Sequence, residues 1–218
     1  MEKHVLNKKQ LGGFCLLIVL SILMNYFGGL FAASWKLPLW LDSAGTVLAA
    51  YLGGPYCGAL VGMTGNFVGY IAYGDPWAYA IVSIAIGLLV GYAARRKGFV
   101  SLFGILTTAV MTTLAATVVA TPLNYLFGNY STGNVWGDAV VGLLKEQGLP
   151  NYLCLPVGQM YVELLDKLVI LLILFVMLKL NQALAAARTS SLWASSAARA
   201  RTVSASLARR CLMPICMP

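Results

Sequence analysis

Apolar residues run along this chain in six blocks, separated by polar or turn-forming breaks, the longest of them residues 121–150. The blocks cover residues 11–33, 39–53, 54–72, 78–94, 99–120 and 152–180. A helix of about 20 apolar residues crosses a ~30 Å hydrocarbon core. Water is missing there, so the backbone must satisfy its own hydrogen bonds. The pattern predicts an all-α polytopic membrane protein built as a six-transmembrane-helix bundle. Residues 1–182 make the membrane domain. Residues 183–218 make a basic tail rich in Ala, Ser and Arg, expected to be disordered or to lie on the membrane surface. The first block is too long for a signal-peptide core and lacks a small-x-small cleavage site, so it is expected to persist as a helix.

The block 54–72 organises the others. Gly54, Gly58, Gly62, Gly65 and Gly69 fall within roughly 40° of one line on a helix turning 100° per residue. In a soluble helix each would cost about 1 kcal/mol against alanine. In lipid a glycine groove lets two backbones approach and gain van der Waals contact. These five positions are therefore expected to pack neighbouring helices. Ser83, Gly87 and Gly91 form a second seam of small residues in the block 78–94.

Composition sharpens this picture. The chain is 60% hydrophobic and 10% charged, with a mean hydropathy of +0.80. Soluble domains carry roughly 25% charged residues. A net charge of +8 invites a nucleic-acid reading, but its distribution follows the positive-inside rule. Six spans place both termini on one side. If that side is the cytoplasm, it holds Lys3, Lys8, Lys9, Arg95, Arg96, Lys97, Lys179, Arg188, Arg199, Arg201, Arg209 and Arg210. Only Lys36 and Lys145 then lie outside, with Lys167 inside the bilayer. The expectation is a multi-pass protein of the cell membrane with cytoplasmic termini, whose surroundings are lipid and not nucleic acid. Cysteines 15, 57, 154, 211 and 216 form no C-x-x-C, and the single histidine is His4, so neither metal site nor disulfide framework is expected. Cys15, Cys57 and Cys154 read as small apolar packing residues.

Ionisable groups at mid-membrane cost at least about 2.5–3.5 kcal/mol each, and usually mark a pathway or a site. In the block 152–180, Gln159, Glu163 and Asp166 share one helical face. Lys167 follows Glu163 by four residues, the favourable order for an ion pair. At 1.5 Å per residue, Glu163 lies about 16 Å from the start of its block. Either the cluster lines a site for a small-molecule substrate, or Glu163 and Lys167 pair to orient the helix; the second reading leaves Asp166 without a partner. Asp42 opens the second block as a first-turn carboxylate or as a ligand contact. Asn66, beside the glycine stripe, suits a ligand or a neighbouring helix equally. The outer breaks bring Trp77, Asn134, Trp136 and Asp138 to one end. Aromatic residues there usually only anchor the interface, but the segment NYSTGNVWGD has the amides and carboxylate of a lid.

Catalysis is not expected. With His4 as the only histidine, no Ser–His pair or His-bearing metal cluster can form inside the bundle. The phosphate-binding pattern G-x-x-x-x-G-K-[ST] does not occur in the sequence, and no cofactor is expected on this chain. Three uses of a membrane ligand site remain: uptake, ligand sensing with a signal to a partner protein, and ion-coupled transport with Glu163 or Asp166 as a proton relay.

The segments LDSAGTVLAAYLGGPYCGALVGMTGN, GDPWAYAIVSIAIGLLVGYAARRKG, GNYSTGNVWGDAVV and VELLDKLVILLILFVMLK resemble the substrate-binding S components of energy-coupling factor (ECF) transporters, over roughly residues 8–182. The resemblance implies six helices, cytoplasmic termini and capture of a vitamin or similar micronutrient from the outer face. It implies docking to a membrane coupling subunit with two ATPase subunits, which use ATP, and release of cargo by toppling in the membrane. It places Asp42, the 134–138 loop and the sixth helix around the ligand. Many members dock through an Ala-x-x-x-Ala seam on the first helix. Here only Gly28-x-x-x-Ala32 and Gly29-x-x-x-Ala33 occur, which leaves open a solitary protein or docking through Ser83, Gly87 and Gly91.

Overall fold

The computed structural model describes residues 8–74, 76–128 and 130–211, with side chains within 10–186; Lys3, His4 and Cys216 lie outside the described residues. The helices are α1 (Lys8–Ser34), α2 (Ala44–Gly53), α3 (Pro55–Tyr73), α4 (Ala80–Arg95), α5 (Leu102–Leu126), α6 (Val135–Glu146) and α7 (Asn151–Cys211), with a 3-10 turn at Trp77–Tyr79. Among the described residues there is no strand. By their contacts the residues fall into two units, Met1–Phe175 and Val176–Pro218. The domain boundary expected after residue 182 falls inside the second unit, where the α7 backbone continues helically to Cys211.

Among the described residues, four helical stretches are long and apolar enough to cross a membrane: Gln10–Ser34, Trp77–Arg95, Leu102–Leu126 and Asn151–Ala186. The two remaining expected spans fall short for different reasons. With 10 residues α2 is about 15 Å long, half a bilayer core. The 19 residues of α3 are long enough, but its glycines, Thr64 and Asn66 dilute its apolar character. The joint between the two is made by Gly54, whose φ of +88° few other residues adopt, followed by Pro55 in the first turn of α3.

Among α1 to α5, packing centres on α3, which lies most extensively against α4 and then α2. The glycine face explains this. A Cβ built on Gly62 would sit 2.7 Å from the Ser83 carbonyl oxygen, and one on Gly87 would meet the backbone of Gly58 and Ala59. Gly58 faces Ala50, and Gly91 faces Pro55. The Ser83–Gly87–Gly91 seam is thus filled by α3. The N-terminus of α2 is held by α1: Asn25 Oδ1 accepts from the backbone N–H of Gly45 (2.7 Å) and Thr46 (3.2 Å), while Nδ2 donates to Thr46 Oγ1 (2.9 Å). These bonds satisfy orphan amide donors of a short helix. Cys57 and Cys154 are buried as expected of packing residues, but Cys15 is exposed, on an α1 surface that also presents Leu16, Val19, Leu20 and Phe27.

Candidate functional site

A continuous polar chain crosses the apolar interior. Tyr79 Oη donates to Asn124 Oδ1 (2.6 Å), Asn124 Nδ2 donates to Gln159 Oε1 (2.9 Å), and Gln159 Nε2 donates to Glu163 Oε1 (3.0 Å). Lys167 Nζ lies 3.0 Å from Glu163 Oε2 and 2.6 Å from Asp166 Oδ2, and donates to Ser43 Oγ at 3.2 Å. Asn124, Gln159, Glu163, Asp166 and Lys167 are all buried. One turn of α7 places Glu163 beside Lys167, which is why the i,i+4 spacing pairs them.

Asp166 does not lack partners. Its Oδ1 accepts from the backbone N–H of Trp40 (3.1 Å) and Leu41 (2.8 Å), and its Oδ2 accepts from Ser43 Oγ (3.3 Å). It therefore anchors the strap of residues 35–43 that joins α1 to α2. Leu41 has φ +55°, a left-handed conformation that costs a non-glycine residue about 1–3 kcal/mol. Hydrogen bonds to an ionised carboxylate are strong enough to hold it there.

The strap is gripped a second time from α6. Asn134 Oδ1 accepts from Trp136 N (3.0 Å), capping α6, while its Nδ2 donates to Leu37 O (3.0 Å); Trp136 Nε1 donates to Lys36 O (2.7 Å). Asp138 braces the preceding loop, accepting from Thr132 N (2.6 Å), Thr132 Oγ1 (2.8 Å) and Ser131 Oγ (2.6 Å). Replacing an N-cap side chain by alanine costs about 0.5–2 kcal/mol. Asn134→Ala should lose about that much stability and speed hydrogen exchange at residues 37–41. Unchanged exchange there would show that the strap is held without Asn134.

Between the strap and the helices lies a cavity of about 690 Å³. It runs from Lys36, Gly128 and Gly133 in the connecting segments and Tyr73 at the end of α3 to Asn124, Gln159, Glu163 and Lys167 on α5 and α7. Tyr26, Leu30 and Ile86 supply apolar wall. Small-molecule sites are typically cavities of about 300–1,000 Å³, mostly apolar with a few placed polar groups.

Of the residues singled out from the sequence, Asp42, Asn66, Asn134, Gln159, Glu163 and Lys167 line this cavity. Asn66 also donates to Ser83 Oγ (2.7 Å), so it meets both a neighbouring helix and the space. Gly65, Gly69 and Ser83 line it too. Asp166 stands behind the wall, committed to the strap. Trp77 and Trp136 are 57% and 49% exposed, and neither they nor Asp138 line the cavity. Asn25, Trp40 and Tyr79, not singled out for the site, do line it. Asn25 carried the same signal as Asn66, an amide inside an apolar block.

A family model described as ECF transporter, substrate-specific component, matches residues 9–194. The chain belongs to this family. Comparison with curated proteins and with solved structures returned no match. As an ECF substrate-specific component, the chain is a membrane protein of transport whose task is to bind a substrate. The cavity is where this S component offers buried polar groups beside unfilled space.

Proposed function

We propose that this S component captures a vitamin or similar micronutrient from the outer face of the cell membrane, in the cavity between the strap and α7. A separate coupling subunit and two ATPase subunits energise its passage inward. In this reading the chain crosses the membrane six times, α2 and α3 contributing shorter crossings than the other helices, and both termini are cytoplasmic. Asp42, Asn66, Asn134, Gln159, Glu163 and Lys167 contact the substrate, and Trp136 and Asp138 hold the mouth in shape. The observation that carries the proposal is a ligand-sized cavity reaching from the connecting segments to the buried charges of α7. The α3-facing seam leaves docking to another surface, since Gly87 and Gly91 already meet Gly58 and Pro55.

Mass spectrometry of small molecules co-purifying with the protein should identify the substrate. Uptake of that compound should require the ATPase subunits and persist under an uncoupler when ATP is held constant. Collapse of uptake under the uncoupler would favour an ion-coupled carrier; unchanged uptake with altered gene expression in a deletion strain would favour a sensor. Glu163→Gln keeps the shape and the bond to Gln159 but removes the charge at the cavity wall. It should weaken binding of the co-purified compound about tenfold, a change of about 1.4 kcal/mol, with folding retained. Normal affinity would remove Glu163 from the site.

A further inference from the structure

The ionisable groups along the cavity wall cancel. Asp42 and Glu163 stand against Lys36 and Lys167, and Asp166 lies behind the wall. The Lys167 ammonium is held by Glu163 at 3.0 Å and Asp166 at 2.6 Å. A charged substrate would give up its hydration on entry and meet no excess of opposite charge to replace it. Selection is left to the uncharged polar groups.

Their directions are fixed from one end. An ionised carboxylate accepts hydrogen bonds and cannot donate, so Gln159 must turn its nitrogen to Glu163 Oε1. Gln159 Oε1 then accepts from Asn124 Nδ2, and Asn124 Oδ1 accepts from Tyr79. Each of these two amides spends one of its two N–H groups, and among the described residues the other has no acceptor. Asn124 and Gln159 are only 2% and 3% exposed, and a buried donor without an acceptor is costly. On α3, Asn66 is the reverse case. Its nitrogen spends both N–H groups, on Gly62 O and Ser83 Oγ, which leaves Oδ1 with no donor among the described residues. The wall thus offers amide donors on α5 and α7 and an amide acceptor on α3, with the rings of Tyr26, Trp40 and Tyr79 beside them.

We infer that Asn124, Gln159 and Asn66 read the substrate, and that it is an uncharged flat heterocycle bearing a lactam or carboxamide. Its carbonyl oxygen takes the unspent N–H groups of Asn124 and Gln159, and its own N–H donates to Asn66 Oδ1. Its ring lies against the aromatic side chains. This deepens the uptake reading and rests on it.

The test uses the full chain in detergent and flat bicyclic probes of nearly one shape, in the millimolar range expected of such small ligands. Quinazolin-4-one carries both the carbonyl and the N–H, 3-methylquinazolin-4-one only the carbonyl, and 4-methylquinazoline neither. Quinoline-4-carboxylate and 1-methylquinolinium supply the two charges. Equilibrium dialysis and thermal stabilisation report binding. Quinazolin-4-one should bind about tenfold more tightly than 4-methylquinazoline, and neither charged probe should bind more tightly than it does. Asn124→Leu should bring the first ratio close to one, and a ratio is insensitive to general weakening of the fold. Should Asn124→Leu fail to fold, Asn66→Ala gives the second reading: the advantage of quinazolin-4-one over its 3-methyl derivative should disappear. Equal binding of 4-methylquinazoline, tighter binding of either charged probe, or a carbonyl preference that survives Asn124→Leu would each overturn the amide assignment. No binding by any probe would overturn it too, while a co-purified compound still taken up would leave the cavity as the uptake site; failure of both would count against both.

Discussion

Lys167→Met is expected to leave little folded protein. Its ammonium is 2% exposed and sits between Glu163 and Asp166, with Ser43 Oγ as a third contact. Methionine fills the volume but leaves two buried carboxylates facing each other without a cation. Breaking a buried ion pair on one side costs about 3–5 kcal/mol, a large share of the roughly 5–15 kcal/mol that keeps a domain folded. The damage spreads to the strap, because Asp166 also holds the amides of Trp40 and Leu41. Size-exclusion profiles and melting temperatures in detergent measure the loss. Adding Asp166→Asn to Lys167→Met should recover part of it, since one charge disappears while an oxygen remains for the two amides. If Lys167→Met melts like the parent, the cation does not stabilise the cluster.

This cluster also shows where sequence reasoning reaches and where it stops. The Glu163–Lys167 pair was legible because a helix brings residues four apart together. The partners of Asp166 were not, because Trp40, Leu41 and Ser43 are more than 120 positions away and offer mostly backbone groups, which every residue carries. The same limit hid the capping of α2 by Asn25, 20 positions upstream of Gly45. For the spans, apolar block length was a good guide to α1, α4, α5 and α7. It misled at α2, where residues 39–43 belong to a polar-bonded strap, although they are apolar enough to extend the block. Trp136 and Asp138 were legible as parts of a structured loop. Their direction was not, since a carboxylate in a Ser/Thr-rich turn can bind a ligand or brace the turn itself, and Asp138 is engaged with Ser131 and Thr132.

Gly62→Leu should separate α3 from α4 and take the binding site with it. The first carbon of any side chain at position 62 would lie 2.7 Å from Ser83 O and 2.9 Å from Ser83 C, backbone atoms that cannot turn aside. Overpacking a dense interior costs about 1–3 kcal/mol, and more when a backbone must move. Here the helices must part over the stretch where Asn66 bonds Ser83 and where Gly65, Gly69, Ser83 and Ile86 line the cavity. Loss of packing and loss of the cavity are therefore one event, and binding should fall at least as steeply as thermal stability. Gly142→Leu on α6 supplies the contrast: a side chain there meets nothing within 4 Å, and removing a mid-helix glycine gains up to about 1 kcal/mol. That variant should fold and bind like the parent. If Gly62→Leu does so as well, α3 and α4 are held together by something other than their glycine faces, and the cavity wall they share is not fixed by the stripe.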